Sequence, residues 1–205
     1  MSDPVDTQSA NGRRNSILES TWQLIAQRGY YHVRVQDVAR MCGTSTGTVH
    51  YYFPGKVDVL REALRYCVDQ AFERQGAALR TIDDARKRLL ALIEMQLPIG
   101  NQVRDEWSIW LQFWSETTLN PELRPIHNDF YTRWMDTVIR IVRRGQRQGI
   151  FRDVDVTEFA LLLTSATDGA AIKILAGVPG ITVESMRKML VSIVDRELSM
   201  VPSPI

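Results

Sequence analysis

Apolar residues recur every three to four positions along almost the whole of this sequence, and no stretch alternates apolar with polar as a half-buried strand does. That period leaves one class of fold open: all-α. Glycine, proline and Asn-Pro breaks divide the pattern into about nine helices, expected over 13–28, 35–42, 46–53, 57–79, 83–96, 104–119, 121–148, 156–176 and 183–198. The first three are short and lie within about 45 residues; those that follow are longer. Residues 1–12 are polar and read as a flexible arm, followed by a small domain at 13–56 and a larger one at 57–205.

The polar start has no apolar core of the kind a secretory signal needs, and no apolar run approaches the roughly 20 residues that cross a bilayer. A cytoplasmic protein with no membrane partner is therefore expected. Cys42 and Cys67 lack metal-ligand spacing and read as small buried hydrophobes. His32, His50 and His127 are scattered, so neither a metal site nor a cofactor is expected. With no nucleophile elbow, phosphate-cradling glycine loop or periodic pair of acids, the sequence argues against an enzyme.

Residues 35–53 have the anatomy of a DNA-reading helix pair. Val38 and small Ala39 lie where the first helix meets the second, Gly43 makes the turn, and Val49 supplies the second helix's buried contact. The opposite face carries Thr46, Gly47, Thr48 and His50, which are short or polar enough to approach base edges. Tyr51, Tyr52 and Lys56 are placed to reach phosphates. Charge leans the same way: residues 1–56 hold six Lys/Arg against four Asp/Glu, and the remainder 19 against 20.

The stretch VARMCGTSTGTVHYYFPGKVDVL, from Val38 to Leu60, resembles the DNA-binding domain of the tetracycline-repressor (TetR) family. Ala39, Gly43, Ser45, Gly47-Thr48, Tyr52-Phe53, Lys56 and Leu60 stand in the family's register, with Ala26 and Gly29 closing the first helix. The resemblance implies base contacts from Gln36, Thr46, Gly47, Thr48 and His50, and backbone contacts from Ser45, Tyr51, Tyr52 and Lys56. Val35 departs from the pattern, which opens the second helix with Ser or Thr. The expected partners are a palindromic double-stranded operator, a second copy of the chain and a small-molecule effector. The expected function is ligand-released repression; the alternative is a helical DNA-binding or adaptor protein without an effector.

Two features of residues 57–205 bear on these expectations. Trp107, Trp110, Phe113 and Trp114 cluster within eight residues, and Tyr131 and Trp134 follow. Such aromatics suit a helical core or a ligand pocket; as a pocket they would be joined by an acid, with Glu94, Glu106, Glu116 and Asp168 the candidates. The segments WSIWLQFWSETTLNPELR and TDGAAIKILAG are similar to the betaine-synthesis-repressor branch, which implies choline as effector. Second, the run FALLLTSATDGAAIKIL is apolar nearly all round. A dimer interface is expected from Phe159, Leu162, Leu163, Ala166, Ala170 and Ile174, with Met186, Leu190 and Ile193 of the last helix.

Overall fold

The computed structural model describes residues 4–200, with side chains described from residue 11. Among these residues the chain forms nine α-helices: α1 (Pro4–Arg28), α2 (Val35–Met41), α3 (Thr46–Tyr52), α4 (Lys56–Arg80), α5 (Ala85–Gln96), α6 (Gly100–Leu119), α7 (Arg124–Arg147), α8 (Val156–Leu175) and α9 (Val183–Leu198). Short 3-10 turns at Tyr30–His32 and Pro121–Leu123 precede α2 and α7. Extended pairing among the described residues is confined to one isolated antiparallel bridge between Phe151 and Ser199.

Two expectations change. Residues 4–12, read as a flexible arm, are the first turns of α1, and residues 1–3 lie outside the described residues. Proline suits the first helical position, where its missing N–H would have no partner. The boundary at 56/57 also moves, for the described residues pack as two units: those up to Phe72 with Ser108–Ile126, and Glu73–Trp107 with those from His127 on. The reason is burial: Val59, Leu60, Ala63 and Leu64 of α4 are core residues of the first unit. Periodicity marks the ends of a helix and is blind to a division inside one.

In the first unit, α1 presents Ile17, Leu18, Leu24 and Ile25 to the interior, all at most 1% exposed. α1 packs on α2 and α2 on α3, burying Val38, Ala39 and Val49. Buried Thr21 satisfies its hydroxyl on the Ile17 carbonyl at 2.7 Å, so it adds no unpaired polar group to this core.

In the second unit, α9 packs on α8 and α5. Its buried stripe is Met186, Leu190, Val194 and Leu198, facing a core that includes Leu89, Leu92, Phe159 and Leu163. The starts of these helices are capped by side chains. Asp84 accepts the Lys87 N–H, Asp155 those of Thr157 and Glu158, and Thr182 forms a reciprocal capping box with Ser185. At the end of α7 the chain folds back so that the N–H groups of Ile150 and Phe151 both reach the Gly145 carbonyl, at 2.9 and 3.2 Å. The Phe151 ring then lies on Gly145, where an added Cβ would sit 2.0 Å from Cδ2. Gly145→Ala is therefore expected to lower stability by about 1–3 kcal/mol through overpacking. Thermal denaturation measures this, and Phe151→Ala should largely remove the added cost of the extra methyl; a wild-type melting temperature for Gly145→Ala contradicts the packing described.

Candidate nucleic-acid interface and effector site

Each helix of the α2–α3 pair has seven residues, and the geometry of their junction follows from single residues. Gly43 takes φ +63°, a conformation that side chains disfavour, and the Thr44 N–H returns to the Ala39 carbonyl at 2.9 Å. Ser45 then caps α3: its hydroxyl accepts the Thr48 N–H at 3.0 Å and lies 3.0 Å from the Thr48 hydroxyl. Arg34, the N-cap of α2, makes no side-chain cap, but Asp37 stands in the first turn.

Turning Val49 inward leaves Gln36, Ser45, Thr46, Gly47, His50 and Tyr51 exposed and Thr48 and Tyr52 half-buried. Tyr51 is 82% exposed and stands edge-on to Tyr52, ring centroids 5.1 Å apart. A Cβ added at Gly47 would meet only the Ser45 hydroxyl at 3.5 Å, ordinary contact, so nothing within the chain demands glycine there. Arg14 is committed internally, paired with Glu62 at 3.0 Å and lying over the Phe53 ring. Lys56 is exposed at the start of α4, and its ammonium donates to the Tyr31 carbonyl at 2.9 Å.

The four acids considered as counter-charges separate sharply. Glu94 pairs with Arg187 at 2.7 Å and Glu106 with Arg74 at 2.8 Å, while Glu116 accepts the Tyr31 phenol. Asp168 differs. It is 5% exposed, lies on α8, and receives the Tyr131 hydroxyl of α7 rather than an arginine or lysine. Burial pushes its carboxyl up to about 6, against the opposing pull of the Tyr131 hydrogen bond. Burial and the neighbouring carboxylate raise the Tyr131 phenol, which stays protonated and donates. His127 lies 4.9 Å from Tyr131, ring to ring, and its burial lowers the imidazole so that the neutral form is favoured.

The remaining aromatics fall in both units. Trp107 and Trp134 belong with Tyr131 and Asp168 to the second unit; both are buried, and the Trp107 indole donates to the Gln96 carbonyl at 2.9 Å. Trp110, Phe113 and Trp114 belong to the first unit, with the Trp110 and Phe113 rings 5.7 Å apart.

Residues 17–63 match the family described as bacterial regulatory proteins, tetR family, and residues 85–199 match the BetI-type transcriptional repressor C-terminal family. The second match alone spans more than half the chain. This is a TetR-family transcriptional regulator.

The regulator is 26% identical over 193 residues to the HTH-type transcriptional repressor KstR2 of Rhodococcus jostii (strain RHA1), covering 92% of each chain. It is also 26% identical over 113 residues to the HTH-type transcriptional regulator BetI of Yersinia pestis (strain Pestoides F), covering 54% of this chain and 57% of that one. Among solved structures, a putative transcriptional regulator from Saccharomonospora viridis, in complex with choline, is 48% identical. It covers 94% of this chain and 100% of its own, with a TM-score of 0.85.

In the TetR-family regulator the expected interface residues are rearranged. Phe159, Leu163, Ala170, Met186, Leu190 and Ile193 are buried in the chain's own packing, each at most 8% exposed, and so do not form an open apolar face. Ala166 and Ile174 are half-buried. Leu162 does face outward at 41% exposure, and it is joined by Leu161 and Met189 at 59% and 40%, which periodicity does not single out. An apolar stripe all round a helix does not say which side its own core takes; the inward turn of Phe159 and Leu163 decides it here. Ser165 is exposed and Gly169 half-exposed on the same helix, with open space where a Gly169 Cβ would stand.

The state of Asp168 makes a stability prediction. Its native carboxyl holds a proton to higher pH than the unfolded one, whose ordinary value is 3.8. The native state therefore binds more protons between about pH 4 and 6, and stability falls across that window as pH rises. Asp168→Asn removes the buried charge and is expected to flatten this slope, raising neutral-pH stability of the unliganded protein by on the order of 1–3 kcal/mol. Denaturant titrations at several pH values measure it, and an unchanged slope in the variant contradicts it.

Proposed function

We propose that this regulator represses transcription as a homodimer on a palindromic operator and is released by a small quaternary-ammonium cation of the choline type. What carries the reading is Asp168: a carboxylate buried on α8 with a phenol, and no lysine or arginine, as its hydrogen-bond partner. Burying a charge is unfavourable unless something compensates it. A cationic effector supplies the missing charge, and Tyr131 and Trp134 of the same unit offer faces for cation–π contact, worth about 0.5–2 kcal/mol each. Choline bound to the Saccharomonospora relative supports the same ligand class.

At the operator, Thr46, Gly47, Thr48 and His50 of α3, with Gln36, read base edges, while Ser45, Tyr51, Tyr52 and Lys56 hold the backbone. The exposure of Ser45, Thr46, Gly47, His50 and Tyr51 around one short helix supports this assignment, and so does a glycine at Gly47 that the fold does not require. The dimer forms through the outward faces of α8 and α9. Leu161, Leu162 and Met189 provide exposed apolar area, and the open space at Gly169 admits a close helix–helix approach. With two copies, the recognition helices meet successive major-groove faces about 34–36 Å apart or more. DNA binding places its action at the nucleoid.

Isothermal titration with choline tests the effector assignment. Heat of binding is expected at pH 7.5, weaker affinity below pH 6 as Asp168 protonates, and no measurable binding by Asp168→Asn. Absence of heat in the wild type removes the choline reading; full binding by Asp168→Asn removes Asp168 as the counter-charge. At the operator face, Gly47→Ala is expected to melt like the wild type and bind at least tenfold more weakly to a duplex that the wild type retains from a random pool, a difference of about 1.4 kcal/mol. A stable Gly47→Ala protein with undiminished binding excludes close backbone approach at that site. Leu162→Arg is expected to shift the protein from dimer to monomer in sedimentation.

A further inference from the structure

The loop between α1 and α2 is held by one face of α6, at two residues one turn apart. Gln112 straddles the loop's entry: its side-chain carbonyl accepts the Tyr30 N–H at 2.8 Å, and its amide donates to the Ile25 carbonyl at 3.4 Å. Four residues on, Glu116 takes the phenol of Tyr31. The asymmetry of that pair is informative. Glu116 is 4% exposed and Tyr31 60%, so an otherwise exposed side chain sends only its hydroxyl to a buried carboxylate. All these groups lie in the first unit.

The backbone of Tyr31 has a second task. Its carbonyl accepts the Lys56 ammonium at 2.9 Å. An ammonium carries three donors, so one is spent on the loop and two remain for a ligand. A free lysine on the surface would give up its rotamer freedom on meeting a phosphate; one already tethered has given up much of it beforehand. Where the Tyr31 carbonyl stands thus decides where Lys56 points.

We propose that Glu116 and Gln112 are positioning residues for DNA binding: by holding Tyr31 and Tyr30 they fix the carbonyl that aims Lys56 at a phosphate. The inference rests on the reading of Lys56 as a residue that holds the DNA backbone. Neither α6 residue touches DNA. The chain of contacts is Glu116 to the Tyr31 phenol, then the Tyr31 carbonyl to Lys56, then Lys56 to phosphate.

The test uses the full-length protein and a short labelled duplex of mixed sequence at low salt, where phosphate contacts dominate binding. Lys56→Ala is expected to lower affinity about 3- to 10-fold, the range of one hydrogen-bonded contact. It should also make the dependence of log affinity on log salt shallower by about 0.9 for each phosphate that is no longer neutralised. Tyr31→Phe, which deletes only a hydroxyl at an exposed position, is expected to reproduce both changes, as is Glu116→Ala if it folds. Glu116→Gln, which keeps an acceptor for the phenol, is expected to stay within about twofold of the wild type. In a Lys56→Ala background, Tyr31→Phe should add nothing. If Tyr31→Phe lowers the melting temperature but leaves affinity and salt slope unchanged, or its effect adds in full to that of Lys56→Ala, the positioning role is overturned while Lys56 keeps its own. If Lys56→Ala changes nothing, the backbone contact and the inference fall together.

Discussion

Seven residues do not make a stable helix in water, where isolated helices shorter than about 12–15 residues are marginal even with the best sequences. Both α2 and α3 have seven. They exist because Val38, Ala39 and Val49 are buried beneath them and because α2 packs on both α1 and α3. This dependence divides the labour among residues: the inward positions and the turn at Gly43 hold the pair together. The outward positions of α3 are thereby released from structural duty, which is why short polar residues and an unneeded glycine can stand there. A DNA-reading surface on so small an element is available only because the packing beneath it is complete.

The second unit obeys a different rule, the high cost of an uncompensated buried charge. Glu94 and Glu106 each have a guanidinium within reach, and both are explained by the structure around them. Asp168 pairs with a phenol and, among the described residues, with no cation, and burial pushes its carboxyl up to about 6. A cationic effector, as proposed above, would complete such a group.

Much of this architecture was legible in the sequence, for identifiable reasons. The helices announce themselves by period, and the turns by Gly43, Gly149 and the Asn120-Pro121 step; α9 runs over the residues expected of it. The helix-turn-helix register was equally plain, since Val38, Ala39 and Val49 can face only one way in so short a hairpin. Less was legible wherever the answer depended on which neighbour a helix meets. Phe159, Leu163 and Met186 look like interface residues in one dimension and are core in three, whereas Leu161 and Met189 carry the exposed surface. The hold of Gln112 and Glu116 on the loop at Tyr30 and Tyr31 spans more than 80 positions in sequence and leaves no local mark. Gly145 reads as an ordinary helix residue until the returning Phe151 ring is seen upon it.

The proposed repression requires that this molecule read a DNA sequence with two copies of α3. Selection of duplexes from a random pool by the purified protein, followed by determination of how many protomers each retained duplex carries, tests it most directly. The expected result is enrichment of a palindrome whose half-sites are about 34–36 Å apart or more, occupied by two protomers or a pair of dimers. Failure to enrich any sequence, at low salt as well as at physiological salt, would contradict it and leave the α2–α3 pair a structural hairpin.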